Sequence, residues 1–88
     1  MISLAIPPGE TIREILIDKN ITPADFAARM GLSAEETEKL LNGINPVSYS
    51  TSELLEKTLG VPAQFWINLE AIYQAALKKE KDNAYRKL

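Results

Sequence analysis

Residues 22–43 read TPADFAARMGLSAEETEKLLNG, and this stretch contains two helix starts within a short distance of each other. At the first start, Thr22 is a typical N-cap and Pro23 occupies the first helical position, where its missing N–H costs nothing. At the second start, Ser33 and Glu36 have the spacing of a capping box, in which each side chain bonds the backbone of the other. The stretch therefore predicts two short consecutive helices.

The turn between these two helices has only three residues, Gly31 to Ser33. A steep turn of this length needs a residue that tolerates positive φ, which Gly31 supplies. It also needs a small side chain where the helices approach most closely, which Ala27 supplies. This is the spacing of a helix-turn-helix unit, with Pro23–Met30 as the supporting helix and Ala34–Asn42 as the recognition helix. An αα-hairpin in any small bundle has the same spacing, so spacing alone leaves both interpretations open.

The flanking sequence predicts three further helices. The first begins at Pro8 and ends near Asn20, the fourth begins near Ser48 or Ser50 and ends at Gly60, and the fifth begins at Pro62. No stretch has the period-two alternation of a half-buried strand, so we predict an all-α fold of five helices. The helical periodicity predicts a core made of Ile12, Ile15, Leu16, Phe26, Ala27, Met30, Leu40, Leu41, Leu54, Leu55, Leu59 and Phe65.

A chain of 88 residues is long enough for one domain. We predict a helix-turn-helix domain over residues 1–77, a C-terminal dimerisation helix over 62–80, and a polar, frayed tail over 78–88. The apolar stripe of the fifth helix is broader than one small core requires, so we predict a homodimer. We expect the candidate dimer-interface residues to divide between the core and that interface; they are Trp66, Leu69, Tyr73 and Leu77.

Cysteine and histidine are both absent from the sequence. Their absence excludes disulfides, zinc sites of the Cys/His type, and catalysis by a thiolate or an imidazole. Glu35 and Glu38 are a poor catalytic pair, because exposed carboxylates outside a cavity lack the environment that acid–base catalysis needs. We therefore predict no enzyme activity, catalytic residue, metal site or cofactor. The sequence also has no pattern of a signal peptide or membrane span, so we expect a cytoplasmic protein.

Three segments of the chain resemble one family. They are PPGE at residues 7–10, NG at 42–43 and LGVPAQFWINL at 59–69. They resemble the HigA/VapI group of Xre-type (Cro/C1-type) helix-turn-helix proteins, which are plasmid-maintenance antitoxins and related transcriptional regulators. Residues 6–14 and 68–73 also resemble the N-terminal domain of Xre proteins fused to an ImmA/IrrE-type metallopeptidase. The resemblance implies a cytoplasmic, five-helix, lambda-repressor-like dimer that binds operator DNA, represses its own operon and often neutralises a partner toxin.

The sequence departs from this family pattern in its central stretch. Pro23 stands where the family usually has a glutamine that reaches a DNA phosphate. Residues 34–39 contain three glutamates and one lysine, whereas the family's recognition helix is typically basic or polar. Thr37 occupies a position where the family prefers a buried aliphatic residue. We nevertheless expect the DNA contacts to come from this region, with the candidate residues Ser33, Ala34, Glu35, Thr37, Glu38, Lys39 and Arg29 and the turn residues Ala27 and Gly31.

Two functional hypotheses follow from these observations. The first is a sequence-specific DNA-binding regulator of the antitoxin type, and the resemblance favours it. The second is a helix-turn-helix scaffold whose acidic recognition helix serves dimerisation or contacts another protein. Local charge favours this second hypothesis, because residues 34–39 of the recognition helix have three acidic residues and one basic residue, a net charge of −2. We adopt the first hypothesis and keep the second as the alternative.

Overall fold

The computed structural model describes the backbone of residues 5–86 and the side chains of residues 5–82. This part of the chain contains five α-helices and no strand, which confirms the all-α prediction. The helices are α1 (Pro8–Asp18), α2 (Pro23–Met30), α3 (Ala34–Leu41), α4 (Tyr49–Leu59) and α5 (Ala63–Arg86).

The predicted caps fix where the helices begin. The Thr22 hydroxyl oxygen accepts a hydrogen bond of 3.1 Å from the backbone N–H of Asp25, which starts α2. The Ser48 hydroxyl oxygen accepts one of 3.1 Å from the backbone N–H of Thr51. Of the two serines predicted as starts of the fourth helix, Ser48 is therefore the cap, and α4 begins at Tyr49.

Left-handed residues end the first, second and fourth helices. Gly31 follows α2 with φ 72°, as the turn prediction requires, and Gly60 follows α4 with φ 78°. Asn20, just after α1, has φ 56°, a conformation that asparagine tolerates better than most residues with a side chain. The chain can therefore reverse direction within a few residues at each of these points.

A single apolar core lies between α1, α2, α3, α4 and the beginning of α5. Ile15 is partly buried and packs against this core, as do Ile21, Leu32, Val61 and Leu69. The buried apolar residues are Ile12, Leu16, Phe26, Ala27, Met30, Leu40, Leu41, Val47, Leu55, Leu59 and Trp66.

The core prediction was wrong at Leu54 and Phe65. Leu54 is 36% exposed and Phe65 is 43% exposed, whereas their neighbours Leu55 and Trp66 are completely buried. Consecutive residues of a helix point about 100° apart, so only one of two adjacent apolar residues can face the core directly. Phe65 instead packs from outside, edge-on to Trp66, with ring centroids 5.2 Å apart. Val47, in the segment that connects α3 to α4, belongs to the core although we did not predict it.

Helix α5 is much longer than the others. Its 24 residues span about 36 Å, whereas the two short dimensions of the molecule are 23 and 22 Å. The helix continues to Arg86, beyond the predicted end at residue 80, so residues 78–86 are helical. Residues 87–88 lie outside the described part, and fraying of the 78–88 tail remains a prediction. No helix in the described part of the chain is long and apolar enough to cross a membrane.

Candidate nucleic-acid interface

The turn between α2 and α3 is closed by its own backbone. Gly31 takes the left-handed conformation, and the N–H of Leu32 then donates a hydrogen bond of 2.9 Å to the carbonyl oxygen of Ala27. The Ala27 side chain is buried, as expected for a position of close approach between helices. Both predicted turn residues therefore have the environment that a helix-turn-helix unit requires.

The inner face of α3 is formed by Thr37, Leu40 and Leu41, all of which are buried. The Thr37 hydroxyl donates a hydrogen bond of 2.8 Å to the carbonyl oxygen of Ser33, one turn earlier in the chain. This bond satisfies the polar group inside the protein, so threonine can occupy an otherwise apolar position. The prediction that Thr37 contacts DNA was therefore wrong, because a side chain only 3% exposed cannot reach a base.

The outer face of α3 brings most of the other predicted contacts together. Ser33, Ala34, Glu35 and Glu38 are exposed there, and Lys39 is partly exposed. These side chains form the surface that a recognition helix would present to the major groove. We refer to these five residues as the α3 outer face.

A complete capping box fixes the beginning of this face. The Ser33 hydroxyl oxygen accepts a hydrogen bond of 3.0 Å from the backbone N–H of Glu36, and the Glu36 carboxylate accepts one of 3.1 Å from the backbone N–H of Ser33. The bond from the Ser33 backbone is the main reason that the pKa of Glu36 lies below its ordinary value. Glu36 therefore has a structural role, and the Ser33 hydroxyl keeps its own proton for donation to a partner.

Both cations that we predicted near the recognition helix are paired with carboxylates. Lys39 Nζ lies 3.3 Å from Glu35 Oε1 within α3, and Arg29 Nη2 lies 3.1 Å from Asp25 Oδ2 within α2. Each pair spans one helical turn, and its side chains are between 45% and 78% exposed. Such pairs add little to stability, but they reduce the positive charge that either cation would offer to a phosphate.

Arg13 of α1 is a residue that sequence reasoning missed. Its Nη2 donates a hydrogen bond of 2.7 Å to the side-chain oxygen of Asn42, just after α3. The arginine also lines a hollow of about 290 Å³ between α1, α2 and α3. Local patterns contain no signal for this contact, because 29 positions separate the two residues. The hollow is lined by Arg13, Pro23, Ala24, Ala27, Ala34, Thr37, Glu38 and Leu41.

The C-terminal end of α3 is seated against α1, the N-terminal segment and α5. Gly9 lies so close to Leu41 that a Cβ atom there would overlap the Leu41 carbonyl oxygen. A Cβ atom at Gly43 would lie 2.7 Å from the Pro7 Cβ and 3.2 Å from the Tyr73 hydroxyl oxygen. These close approaches hold the recognition helix at a fixed position on the body of the domain.

The candidate dimer-interface residues on α5 do not all lie on its open side. Trp66 is completely buried in the core of its own chain, so of the four residues it is one that belongs to the core and not to an interface. Leu69, Tyr73 and Leu77 are partly buried, and Ile72 beside them is 64% exposed. A groove of about 320 Å³ runs along this side of α5, lined by Ile6, Pro7, Pro8, Thr11, Leu69, Ile72, Tyr73 and Ala76.

The glycine turn, the capped and rigidly seated α3, and its exposed outer face together define a helix-turn-helix nucleic-acid-binding domain. The comparison with known families agrees with this class. A family model described as Helix-turn-helix matches residues 12–66. The chain belongs to this family, and within it to the Xre type.

The chain is similar to known antitoxins and transcriptional regulators. The antitoxin HigA of Pseudomonas aeruginosa, solved with the higBA promoter, is 28% identical with a TM-score of 0.82, over 92% of this chain and 89% of HigA. A Nostoc punctiforme protein, described as a putative antidote protein of a plasmid maintenance system, is 31% identical with a TM-score of 0.78, over 92% of this chain and 91% of that one. The uncharacterized HTH-type transcriptional regulator YddM of Escherichia coli K12 is 28% identical over 69 residues, which are 78% of this chain and 73% of YddM. The resemblance to the HigA group is thereby confirmed.

Proposed function

We propose that the protein is a sequence-specific DNA-binding transcriptional regulator of the antitoxin type that represses its own operon. One observation carries this proposal: nearly the whole domain shares its fold with an antitoxin solved with promoter DNA. The fixed position of α3 supports it further, because a recognition helix must keep its orientation while its side chains contact base edges. The proposed activity is binding in the cytoplasm, without catalysis or a cofactor.

The proposed base contacts come from the α3 outer face. The Ala34 methyl group can pack against a thymine methyl group, and the Ser33 hydroxyl can donate to or accept from a base edge. Glu35 or Glu38 can accept a hydrogen bond from cytosine N4. The acidic face would therefore restrict binding to operators with suitably placed C·G pairs, because a carboxylate without such a partner repels the duplex.

We propose further that the protein is a homodimer in which the groove along α5 receives the same region of a second chain. The groove walls are mainly apolar, and Ile6 (68% exposed) and Ile72 (64% exposed) lie at its surface. Two-fold symmetry would separate the two recognition helices by about 34 Å, which matches successive major grooves. Sedimentation at tens of micromolar should give twice the 9.8 kDa mass of the chain. A strictly monomeric protein would contradict this arrangement.

A fluorescence anisotropy titration tests the DNA-binding proposal. The protein is titrated against the duplex upstream of its own gene and against random duplex of equal length, at low and moderate salt. We expect clearly tighter binding to the upstream duplex. Because few free cations face the DNA, log K against log salt should have a slope on the order of −2 to −4 per monomer. Equal affinity for both duplexes would contradict sequence-specific regulation.

The charge of the α3 outer face favours a second candidate function. Its two glutamates outnumber its one lysine, and such a surface is complementary to a basic protein. In this alternative the domain contacts a protein through α3 and does not bind DNA. If a small basic toxin-like reading frame lies beside the gene, its product should be co-expressed and tested for a stable complex. The alternative predicts that Glu35→Gln with Glu38→Gln weakens that complex, whereas a regulator with a separate toxin surface would keep it.

A further inference from the structure

A helix-turn-helix domain needs cations that bind the DNA backbone and set the position of the recognition helix. In this protein the usual sources near α3 are weak. Pro23 at the start of α2 has no N–H and no side-chain donor. Arg29 and Lys39 each have a carboxylate partner on their own helix. Another group must therefore hold the backbone if the proposed DNA binding occurs.

We propose that Arg13, held by Asn42 at the junction of α1 and α3, binds a phosphate of the DNA backbone from the hollow between α1, α2 and α3. This inference rests on the proposed DNA-binding function. It assigns the phosphate contact to a residue outside the two helices of the helix-turn-helix unit.

The first reason is the chemistry of the Arg13 contact. The partner of Arg13 is the neutral amide oxygen of Asn42, and among the described side chains no carboxylate forms an ion pair with it. One N–H is used in that 2.7 Å bond, and guanidinium has five. The full positive charge and the remaining donors stay available, and the fork of an arginine matches two phosphate oxygens.

The second reason is the position of Arg13. The hollow that it lines also contains Ala34 and Glu38 from α3, and Pro23 and Ala24 from the start of α2. Arg13 therefore lines a hollow whose walls include residues of the surface that would face the duplex. Most of the other lining side chains are small, so the sugar-phosphate backbone can approach the arginine without moving a large group.

The third reason is that Asn42 orients the cation. Arg13 is only partly exposed, and its side chain is fixed to the end of the recognition helix by the Asn42 amide. A pre-oriented arginine loses less conformational entropy on binding than a free surface lysine. Asn42 is therefore a positioning residue for the phosphate contact. Glu38 lines the same hollow, and its carboxylate repels a phosphate, which reduces the net attraction of the site.

The test compares Arg13→Gln with Lys57→Gln on α4, two variants that each remove one positive charge; Lys57 is exposed and does not line the hollow. For Arg13→Gln we expect affinity to fall about 10- to 100-fold, the loss of one charge-assisted hydrogen-bond contact. The fall should be similar on upstream and random duplexes, because a phosphate carries no sequence information. The salt slope should become shallower by about 0.9 per monomer. Lys57→Gln should change affinity less than about threefold and leave the slope unchanged, because Lys57 lies on α4, outside both the hollow and the α3 outer face.

Two further variants separate phosphate binding from a merely structural role. Arg13→Lys keeps the charge, so it should keep the salt slope while losing part of the affinity. Asn42→Ala should also keep the slope, with a moderate loss of affinity from the released arginine. Thermal melting, followed by the buried Trp66, shows whether each variant is folded. If Arg13→Gln is folded and keeps the salt slope of the unmodified protein, Arg13 does not bind phosphate.

The same titrations distinguish a failure of the Arg13 contact from a failure of the proposed DNA-binding function. If the unmodified protein binds both duplexes equally, the sequence-specific regulator is contradicted, but the slope comparison still decides the role of Arg13. If the unmodified protein binds neither duplex at low salt, both the regulator and the phosphate contact are overturned.

Discussion

The two faces of α3 differ completely although they belong to one helix of eight residues. The inner face, with Thr37, Leu40 and Leu41, is buried and meets the packing needs of a helix-turn-helix core. The outer face exposes Glu35 and Glu38. A DNA duplex repels these carboxylates unless they accept a hydrogen bond from a base, such as the one that cytosine N4 can donate. The inner face thus accounts for the fold, whereas the outer face is the surface to which we assign binding. Substitutions should separate these two properties.

The largest effect is expected on the inner face. Leu40 is 4% exposed, and Leu40→Ala should lower the free energy of unfolding by about 2–5 kcal/mol through lost burial and a cavity. Urea denaturation followed by Trp66 fluorescence measures this change. Glu38→Ala is the matched outer-face control and should stay within about 0.5 kcal/mol of the unmodified protein. If Leu40→Ala and the unmodified protein unfold at the same urea concentration, Leu40 is not buried in the core as described.

The next effect concerns the turn that joins α3 to α2. Gly31 has φ 72°, and a Cβ atom there would meet nothing within 4 Å, so backbone conformation alone determines the result. Gly31→Val should cost more than about 1 kcal/mol, because a β-branched residue is strained in the left-handed region. Gly31→Asn should cost less, since asparagine tolerates that region. If the two variants have the same melting temperature, the turn can change its backbone conformation to accommodate valine.

Changes on the outer face should alter affinity while the fold is kept. Glu38→Gln removes one repelling charge, and Glu35→Gln also releases Lys39 from its ion pair. Each should strengthen binding to random duplex by about three- to tenfold. Glu53→Gln on α4 is the control for net charge and should have a smaller effect. A loss of upstream preference in either α3 variant would identify that carboxylate as the one that contacts cytosine.

The smallest effect is the pH dependence of the capping box at the start of α3. The pKa of Glu36 is lower in the folded protein, mainly because its carboxylate accepts a hydrogen bond from the Ser33 backbone. Its charged form therefore stabilises the fold above the ordinary pKa of glutamate, and this contribution is lost as the pH falls through the lowered value. Melting temperatures from neutral to acidic pH should fall less steeply for Glu36→Gln than for the unmodified protein. Parallel curves would show that the box contributes no pH dependence.

The local sequence was sufficient to predict the helix starts and the turn. Thr22, the Ser33–Glu36 box and Gly31 were predicted correctly because each of these signals acts within four residues of its own position. A cap and the N–H that it satisfies are always close in the chain, so one short segment contains the whole interaction. The same holds for the choice of an all-α fold, which depends on periodicity within each segment.

Only the tertiary structure decided which side of each helix is buried and which distant residues meet. It placed Trp66 rather than Phe65 in the core, buried Thr37 at a position where we expected a DNA contact, and joined Arg13 to Asn42. The rotation of a helix about its axis depends on the neighbours that it packs against, and those neighbours lie far away in the chain. The helix-turn-helix unit was therefore predictable from its own residues, whereas the contact of Arg13 with the end of α3 depends on how the fold packs α1 against α3.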